Sequence, residues 1–273
     1  MKRFRHVLLV VAVTGLLGAQ NAEQAKPQPD DPEAVAALKQ AGVHLTFDEY
    51  GNVKRVIALS VRGDFSSLVH LKGLFSLKEL RLWGSTTDEA MIHLQELSSL
   101  RSLEVGSRKI TGAGWAHLQG LTELQHLDLA FTRRTDEALA HVKEMRKLEF
   151  IDLRFTDVTD EGLAHLEGLP NLKRIELDNA KITDAGLAHL KRVPRLASLH
   201  LSGTGVTDAG LGHLKELHEL SYLDLDSTQV SDEGLADFLE FPAVMGLSLH
   251  KTNVTREGLG KLEKEMPHVS ISY

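Results

Sequence analysis

A unit of about 24 residues repeats along most of the chain, and this period constrains the fold more than any other feature. The central copies read close to L-x-L-x-x-T-x-V-T-D-x-G-L-x-H-L. A fixed period of this length is typical of solenoids, in which each unit stacks on the one before it. Nine copies and a last strand at 269–271 fill residues 57–273. The copies begin at one shared apolar position, occupied by Ile57, Leu80, Leu103, Leu127, Ile151, Ile175, Leu199, Leu223 and Leu247.

Each copy combines a strand pattern with a helix pattern. The L-x-L segment alternates with the period of a β-strand, and leucines then recur three residues apart, as at Leu163, Leu166 and Leu169, which predicts a short helix with one buried stripe. Between them a V-T-D turn supplies a Thr suited to an N-cap and an Asp suited to the positive end of the helix dipole. Strands pair about 4.8 Å apart whereas helices pack roughly 8–10 Å apart. The stack must therefore curve, with its strands on the inner side.

The repeated motif resembles the leucine-rich-repeat family, and in particular its short cysteine-containing subtype, found in F-box adaptor proteins and many bacterial relatives. The resemblance covers about four fifths of the chain. It implies an α/β fold, a right-handed leucine-rich-repeat solenoid (horseshoe) with a parallel concave sheet and short convex helices. Arg134 replaces an aliphatic residue of the turn, which predicts a looser turn or an outward-pointing side chain. The usual Asn or Cys after the strand is replaced by Thr, whose hydroxyl should stabilise the same turn, at Thr132, Thr156, Thr204, Thr228 and Thr252.

The segment before the repeats divides into three parts. Lys2, Arg3 and Arg5 precede an apolar run at 7–19, which is too short to span a bilayer comfortably and fits a signal peptide at 1–19, with an uncleaved anchor as the alternative. A polar linker follows at 20–32. Residues 33–56 predict a helix and a hairpin that cap the open end of the solenoid. The chain is therefore expected to be exported, to a periplasm, a cell envelope or the medium.

Composition limits the partners. The formal net charge is −7, and removal of the first 22 residues, which carry three basic residues and no acid, leaves −7 − 3 = −10. This charge argues against nucleic acid and against an anionic membrane surface, both of which bind cationic proteins. It fits a basic or neutral protein or peptide, or a cation. The chain has no cysteine, so it has neither disulfides nor thiolate ligands.

One histidine recurs at the same position in seven of the nine predicted repeat helices and raises the question of a metal. Adjacent helices are roughly 8–10 Å apart, whereas zinc ligands approach one ion to about 2.1 Å. Spacing along the convex side therefore favours a structural role, and no metal or other cofactor is predicted. The column consists of His70, His93, His117, His141, His165, His189 and His213.

The concave strand face is the predicted binding surface, because solenoids present their extended binding surface there. The residues between the two strand leucines form an acidic row, with further charges beside it and aromatic side chains that interfaces favour. Trp83 is the strongest single hot-spot candidate. The alternatives are a merely solvated sheet face and a row bridged by calcium. The predicted partner-binding residues are Arg81, Trp83, Glu104, Asp128, Phe150, Asp152, Arg154, Glu176, Asp178, His200, Tyr222, Asp224 and Asp226.

No catalytic motif occurs in the chain: a nucleophile elbow, a P-loop and H-E-x-x-H are all absent. The sequence thus predicts a non-catalytic scaffold that binds a protein or peptide through its concave face. A structural component of the envelope or matrix, assembling through its ends, is the first alternative. A ubiquitin-ligase-type adaptor is the second, and it is implied only by the resemblance to F-box repeat proteins.

Overall fold

A computed structural model describes residues 27–58 and 66–273. The predicted signal peptide at 1–19, and the linker as far as residue 26, lie outside the described residues. Within these two ranges, eleven strands form one open sheet in chain order, and short helices connect them. The first two strands are antiparallel, and every later pair is parallel. The predicted solenoid is confirmed.

The strands have the following bounds: β1 His44–Phe47, β2 Val53–Ala58, β3 Glu79–Trp83, β4 Ser102–Gly106, β5 His126–Asp128, β6 Phe150–Asp152, β7 Arg174–Glu176, β8 Ser198–His200, β9 Tyr222–Asp224, β10 Gly246–Ser248 and β11 Ser270–Ser272.

The α-helices are α1 Pro32–Gln40, α2 Asp88–Met91, α3 Gly112–Trp115, α4 Thr135–Leu139, α5 Asp160–Leu163, α6 Asp184–Leu190, α7 Asp208–Leu211, α8 Leu235–Phe238 and α9 Arg256–Glu265. In the described part of the chain, 3₁₀ segments accompany them at Ser66–Gly73, Ile92–Leu94, Ala116–Leu118, Ala164–Leu166 and Gly212–Leu214. Among the described helices, none is both long and apolar enough to cross a bilayer.

Stacking buries the leucines that a single copy would leave in water. Leu127 and Leu129 of one copy are fully buried, as are Ile151 and Leu153 of the next, and one hydrophobic core runs through the described repeats. Trp115, which replaces a repeat leucine, is also fully buried. Burial of a large aliphatic side chain stabilises the fold by about 1.5–3 kcal/mol, so the repeated leucines are the main source of stability.

The first copy starts one residue earlier than its sequence suggests. Val56 pairs with Leu80 and is fully buried, whereas Ile57 pairs with Arg81. Val56 therefore takes the position of the repeat leucine, and Ile57 lies in the row between the leucines. This divergent copy lacks an unambiguous L-x-L pattern, which is why its register could not be fixed from the sequence.

Helix α1 and the β1–β2 hairpin lie against the first repeat. The helix begins at Pro32, the last residue of the predicted linker, and Asp31 caps it by accepting a hydrogen bond from the Glu33 amide at 2.9 Å. The Asp31 amide donates to the Gly73 carbonyl at 2.9 Å, and the Val53 amide donates to Asp30 at 2.5 Å. These bonds attach the end of the predicted linker to the repeat domain.

The Thr residues after the strands stabilise their turns as expected. In each turn the hydroxyl donates to the carbonyl oxygen three residues earlier, at 2.5–2.8 Å. Arg134 has a left-handed backbone, is exposed and forms an ion pair with Glu137 at 3.0 Å, so its side chain points outward.

The V-T-D turns also join neighbouring copies, which the sequence did not predict. One oxygen of the Asp carboxylate accepts from the backbone amide of the next copy's Thr or Ser at 2.7–3.0 Å, and the other accepts from its hydroxyl at 2.5–2.7 Å. The acceptors of this Asp ladder are Asp88, Asp136, Asp160, Asp184, Asp208 and Asp232.

The Asp ladder explains the glycine of the T-D-x-G motif. A Cβ at Gly114, Gly162, Gly186, Gly210, Gly234 or Gly258 would collide with the ladder carboxylate of the preceding copy. One copy lacks the Asp and has Gly112 in its place, and the following copy has Ala138 instead of Gly. The repeat therefore has glycine at this position because the carboxylate of the preceding copy leaves no room for a Cβ.

Candidate functional site: the concave strand face

Strand register brings the predicted surface residues into continuous rows. Glu104 pairs with Asp128, Asp128 with Asp152, and Asp152 with Glu176. The row continues through His200 and Asp224 to Ser248. The residues on either side of the repeat leucines form flanking rows. We call the face formed by these three rows the concave face.

At the N-terminal end of the concave face, three predicted residues bind one another. Arg81 forms an ion pair with Glu104 at 2.9 Å, and the Trp83 indole N–H donates to the same carboxylate at 3.0 Å. The Trp83 ring lies against Gly106, where a Cβ would strike the ring. Trp83 is half-buried in this arrangement, so part of its apolar surface is already used within the fold.

In the middle of the face, arginines cover the acidic row. Arg154 donates to Asp152 through Nε and Nη2, at 3.0 and 2.6 Å, and its Nε is 2.8 Å from Glu176 Oε2. Because that Nε–H is directed at Asp152, the contact with Glu176 Oε2 is electrostatic and lacks hydrogen-bond alignment. Arg174 binds the other oxygen of Glu176.

Burial of these two acids differs from the exposed strip that the sequence suggested. Asp152 is 1% exposed and Glu176 is 5% exposed, and both are neutralised by Arg154 and Arg174. These two carboxylates therefore lie beneath the arginine side chains and are almost inaccessible from solvent. A partner that docks at this point would meet arginine side chains.

Asp128 lies between Glu104 and Asp152 in the row, and it has no ion pair of its own among the described residues. Burial, with the nearby charges of Asp152 and Glu104, raises the pKa of Asp128 from 3.8 to about 6. The Ala130 amide donates to its Oδ1 at 2.9 Å and partly opposes this rise. The folded protein thus holds this proton more tightly than the unfolded chain does.

We expect Asp128→Asn to stabilise the protein at neutral pH. The Asp128 carboxyl lowers the free energy of unfolding as pH rises from about 4 to about 6, because its pKa is higher in the folded protein than in the unfolded chain. With allowance for solvent at this half-buried site, the amide should gain on the order of 1 kcal/mol at pH 7, or roughly 2–4 °C in melting temperature. Thermal denaturation at pH 7 and pH 4 measures this, and the gain should vanish at pH 4. An equal gain at both pH values would contradict the assignment.

Phe150 contacts two polar groups on its flanking row. Its ring centroid is 6.2 Å from that of His126 and 5.7 Å from the Arg174 guanidinium carbon, a cation–π distance. Phe150 is half-buried. It therefore helps to hold Arg174 in place over Glu176 and presents only part of its ring to solvent.

Three predicted residues converge near the C-terminal end of the concave face. Asp178, His200 and Asp224 each have one potential metal-ligand atom within 4.8 Å of the other two. His200 Nδ1 is 3.8 Å from Asp224 Oδ2, which is too long for a hydrogen bond. Burial and the charge of Asp224 raise the pKa of Asp178. Burial opposes ionisation of Asp224 as well, but His200 and the Asp226 amide outweigh it and keep its pKa below the ordinary value.

Tyr222 and Asp226 lie beside this cluster. Tyr222 is 36% exposed, and its ring centroid is 5.1 Å from that of His200. Asp226 accepts from the Ser248 hydroxyl at 2.6 Å and from the His250 amide at 2.8 Å. Among the described residues, no Lys or Arg forms an ion pair with Asp178, Asp224 or Asp226. This end of the face thus carries net negative charge beside an exposed aromatic ring.

A pair of phenylalanines after β5 and β6 was missed by the sequence analysis. Phe131 and Phe155 are 44% and 47% exposed, and their rings stack in parallel with centroids 4.9 Å apart. Both have a left-handed backbone, which is uncommon for bulky residues. The signal was present in the repeat, because the two residues occupy the same position in consecutive copies.

Comparison with known proteins agrees with this architecture. A family model described as Leucine Rich repeat matches residues 144–166 and 216–239, each about the length of one copy. The chain has the leucine-rich-repeat fold. None of the curated proteins compared with it matches.

Three solved structures share the leucine-rich-repeat fold at low sequence identity. Internalin C2 from Listeria monocytogenes is 21% identical, with a TM-score of 0.56 over 91% of this chain and 98% of its own. A chain of the mouse RP105/MD-1 complex is also 21% identical, with a TM-score of 0.57 over 74% of this chain and 35% of its own. A leucine-rich-repeat protein from Leptospira interrogans is 17% identical, with a TM-score of 0.50 over 75% of this chain and 62% of its own.

Proposed function

We propose that this leucine-rich-repeat protein is an exported, non-catalytic scaffold that binds a protein or peptide through its concave face. The observation that carries the proposal is the C-terminal half of that face, where carboxylates without Lys or Arg partners adjoin the exposed ring of Tyr222. Aromatic anchors beside polar groups are the usual centres of binding energy in protein interfaces. The mouse structure with the same fold is a protein–protein complex, which supports a protein partner.

The charge distribution favours a partner with a basic segment. Arg154 and Arg174 already neutralise the central acids, whereas Asp178, Asp224 and Asp226 remain available to a cationic side chain. The stacked pair Phe131 and Phe155 supplies exposed apolar area next to the centre of the face. We therefore expect a basic peptide or surface to lie along β7–β10 and to reach the phenylalanine pair.

Export rests on the N-terminal pattern of Lys2, Arg3 and Arg5 before an apolar run. An exported scaffold would meet its partner in the cell envelope or outside the cell. The source of the partner in a capture experiment is therefore the envelope fraction and the medium of the same cells.

We expect Tyr222→Ala combined with Phe155→Ala to weaken binding of the captured partner by at least tenfold, because each change removes an exposed aromatic anchor. The matched control is Ile92→Ala combined with Leu239→Ala, which removes exposed apolar side chains next to the convex helices α2 and α8. Affinities of the purified partner for the wild type and both variants provide the test.

Equal loss in both double variants, or loss in the control alone, would refute binding through the concave face. Self-association that depends on protein concentration and ignores both sets of changes would instead favour the structural alternative. Melting temperatures of each variant show whether a lost interaction reflects a lost fold.

A further inference from the structure

We propose that Asp178, His200 and Asp224 form a binding site for one divalent transition-metal ion, with Zn²⁺ as the ion to test. The proposal goes beyond partner binding, since it assigns a ligand to the concave face of the protein alone. The three side chains come from consecutive copies, at or just beyond the ends of β7, β8 and β9. The stack therefore holds them on neighbouring strands of one sheet.

The distances are close to those of a coordination sphere. One ligand atom from each residue lies within 4.8 Å of the other two. Ligands that bind zinc tetrahedrally at about 2.1 Å are about 3.4 Å apart. Side-chain rotations that bring the ligand atoms closer together by up to roughly 1.4 Å would reach this spacing without movement of the strands.

Hydrogen bonds orient each side chain through an atom that a metal would not need. The Ser198 hydroxyl is 3.1 Å from His200 Nε2, which turns Nδ1 toward Asp224. The Asp226 amide donates to Asp224 Oδ1 at 2.9 Å, and the Ser202 amide donates to Asp178 Oδ1 at 3.2 Å. Each residue thus keeps one ligand atom free. Metal-binding histidines commonly have such a partner on the second ring nitrogen.

Charge distinguishes this group from the other acids of the concave face. Asp152 and Glu176 have Arg154 and Arg174, whereas the positive partner of Asp178 and Asp224 would have to be His200 or an ion. A neutral imidazole between two carboxylates leaves two negative charges. A divalent cation would neutralise both.

The ligand set selects the class of ion. Calcium takes six to eight oxygen ligands, and this group offers two carboxylates and a nitrogen. Imidazole together with carboxylates suits Zn²⁺ and its first-row neighbours. Three protein ligands leave a fourth position for water or for a side chain of another molecule.

Isothermal titration of the purified protein with Zn²⁺ tests the proposal. We expect one tight equivalent in the wild type, and binding at least tenfold weaker in each of His200→Ala, Asp178→Asn and Asp224→Asn. The matched controls are His126→Ala and Asp128→Asn, which change a histidine and an acid of the same face outside the group and should bind as the wild type does. Asn keeps the oxygen that accepts the orienting hydrogen bond, so both Asn variants should fold.

Thermal denaturation separates loss of the site from loss of the fold. In a chelator, the three variants should melt within a few degrees of the wild type. Added Zn²⁺ should raise the melting temperatures of the wild type and of the two controls, but not those of the three variants. The chain has 14 histidines, so weak background binding should persist equally in all variants. Wild-type binding no tighter than that of His200→Ala would overturn the proposal. That result would leave the partner-binding test intact, because Tyr222 and Phe155 are not ligands.

Discussion

Arg154→Met should destabilise the protein by about 3 kcal/mol. The substitution keeps the apolar stem but removes the guanidinium from two carboxylates, of which Asp152 is 1% and Glu176 is 5% exposed. Removing one partner of a buried ion pair typically costs about 3–5 kcal/mol, since the remaining charge stays desolvated. The lower end applies here because the Arg154 side chain is itself 42% exposed. Chemical denaturation of the purified variant gives the free energy of unfolding.

Arg174→Met is the matched control. Arg174 has similar exposure, at 48%, but its ion pair is with Glu176 alone, which would keep Arg154. Arg174→Met should therefore lower the free energy of unfolding by clearly less than Arg154→Met does. Arg154→Met combined with Asp152→Asn and Glu176→Gln should recover most of the stability, because no buried carboxylate then remains unpaired and the Arg174 side chain is 48% exposed. Equal effects of the two arginine substitutions, or no recovery in the triple variant, would show that Arg154 does not act by neutralising these acids.

Gly258→Ala should destabilise the protein by about 1–3 kcal/mol, the usual cost of forcing an extra methyl group into a packed site. The atoms nearest to a Cβ at this position all belong to the carboxylate of Asp232. That carboxylate cannot move without breaking its hydrogen bonds to Thr255, at 2.7 and 2.6 Å. The natural combination of Gly112 and Ala138 shows that the alanine is accepted where the carboxylate is missing.

A double-mutant cycle tests this explanation. Asp232→Ala alone loses the two hydrogen bonds, but in that background Gly258→Ala should cost little, giving a coupling energy of about 1 kcal/mol or more. Gly260→Ala is the control in the same helix. Nothing lies within 4 Å of a Cβ there, so alanine should stabilise α9 by about 0.5–1 kcal/mol. Strictly additive costs at 232 and 258 would rule out the collision.

Periodicity predicted the parts of this structure that depend on the backbone. The alternation of L-x-L fixed which residues face the core, so the row from Arg81 to Asp224 has the register expected from the sequence. The turn hydroxyls, as at Thr132, followed from their place after the strand. The divergent first copy was placed one residue late because Val56 and Ile57 are both apolar.

Periodicity could not predict what long side chains do after the backbone is in place. Whether Asp152 is exposed depends on the rotamer of Arg154, and the pattern carries no information on that choice. The same applies to Phe131 and Phe155, whose stacking requires a left-handed turn in two consecutive copies. Asp178 was predicted as a charge beside the acidic row. Its approach to His200 joins a flanking row to the central row, and the repeat pattern does not predict contacts between rows.

Hydroxyl-radical footprinting of the complex with the captured partner tests the central claim most directly, because it reports the solvent exposure of individual side chains. Binding through the concave face predicts reduced labelling of Tyr222 and Phe155, which are 36% and 47% exposed in the free protein. It predicts unchanged labelling of Ile92 and Leu239, which are 44% and 49% exposed beside the convex helices. Protection of Ile92 or Leu239 with unchanged labelling of Tyr222 and Phe155 would contradict it.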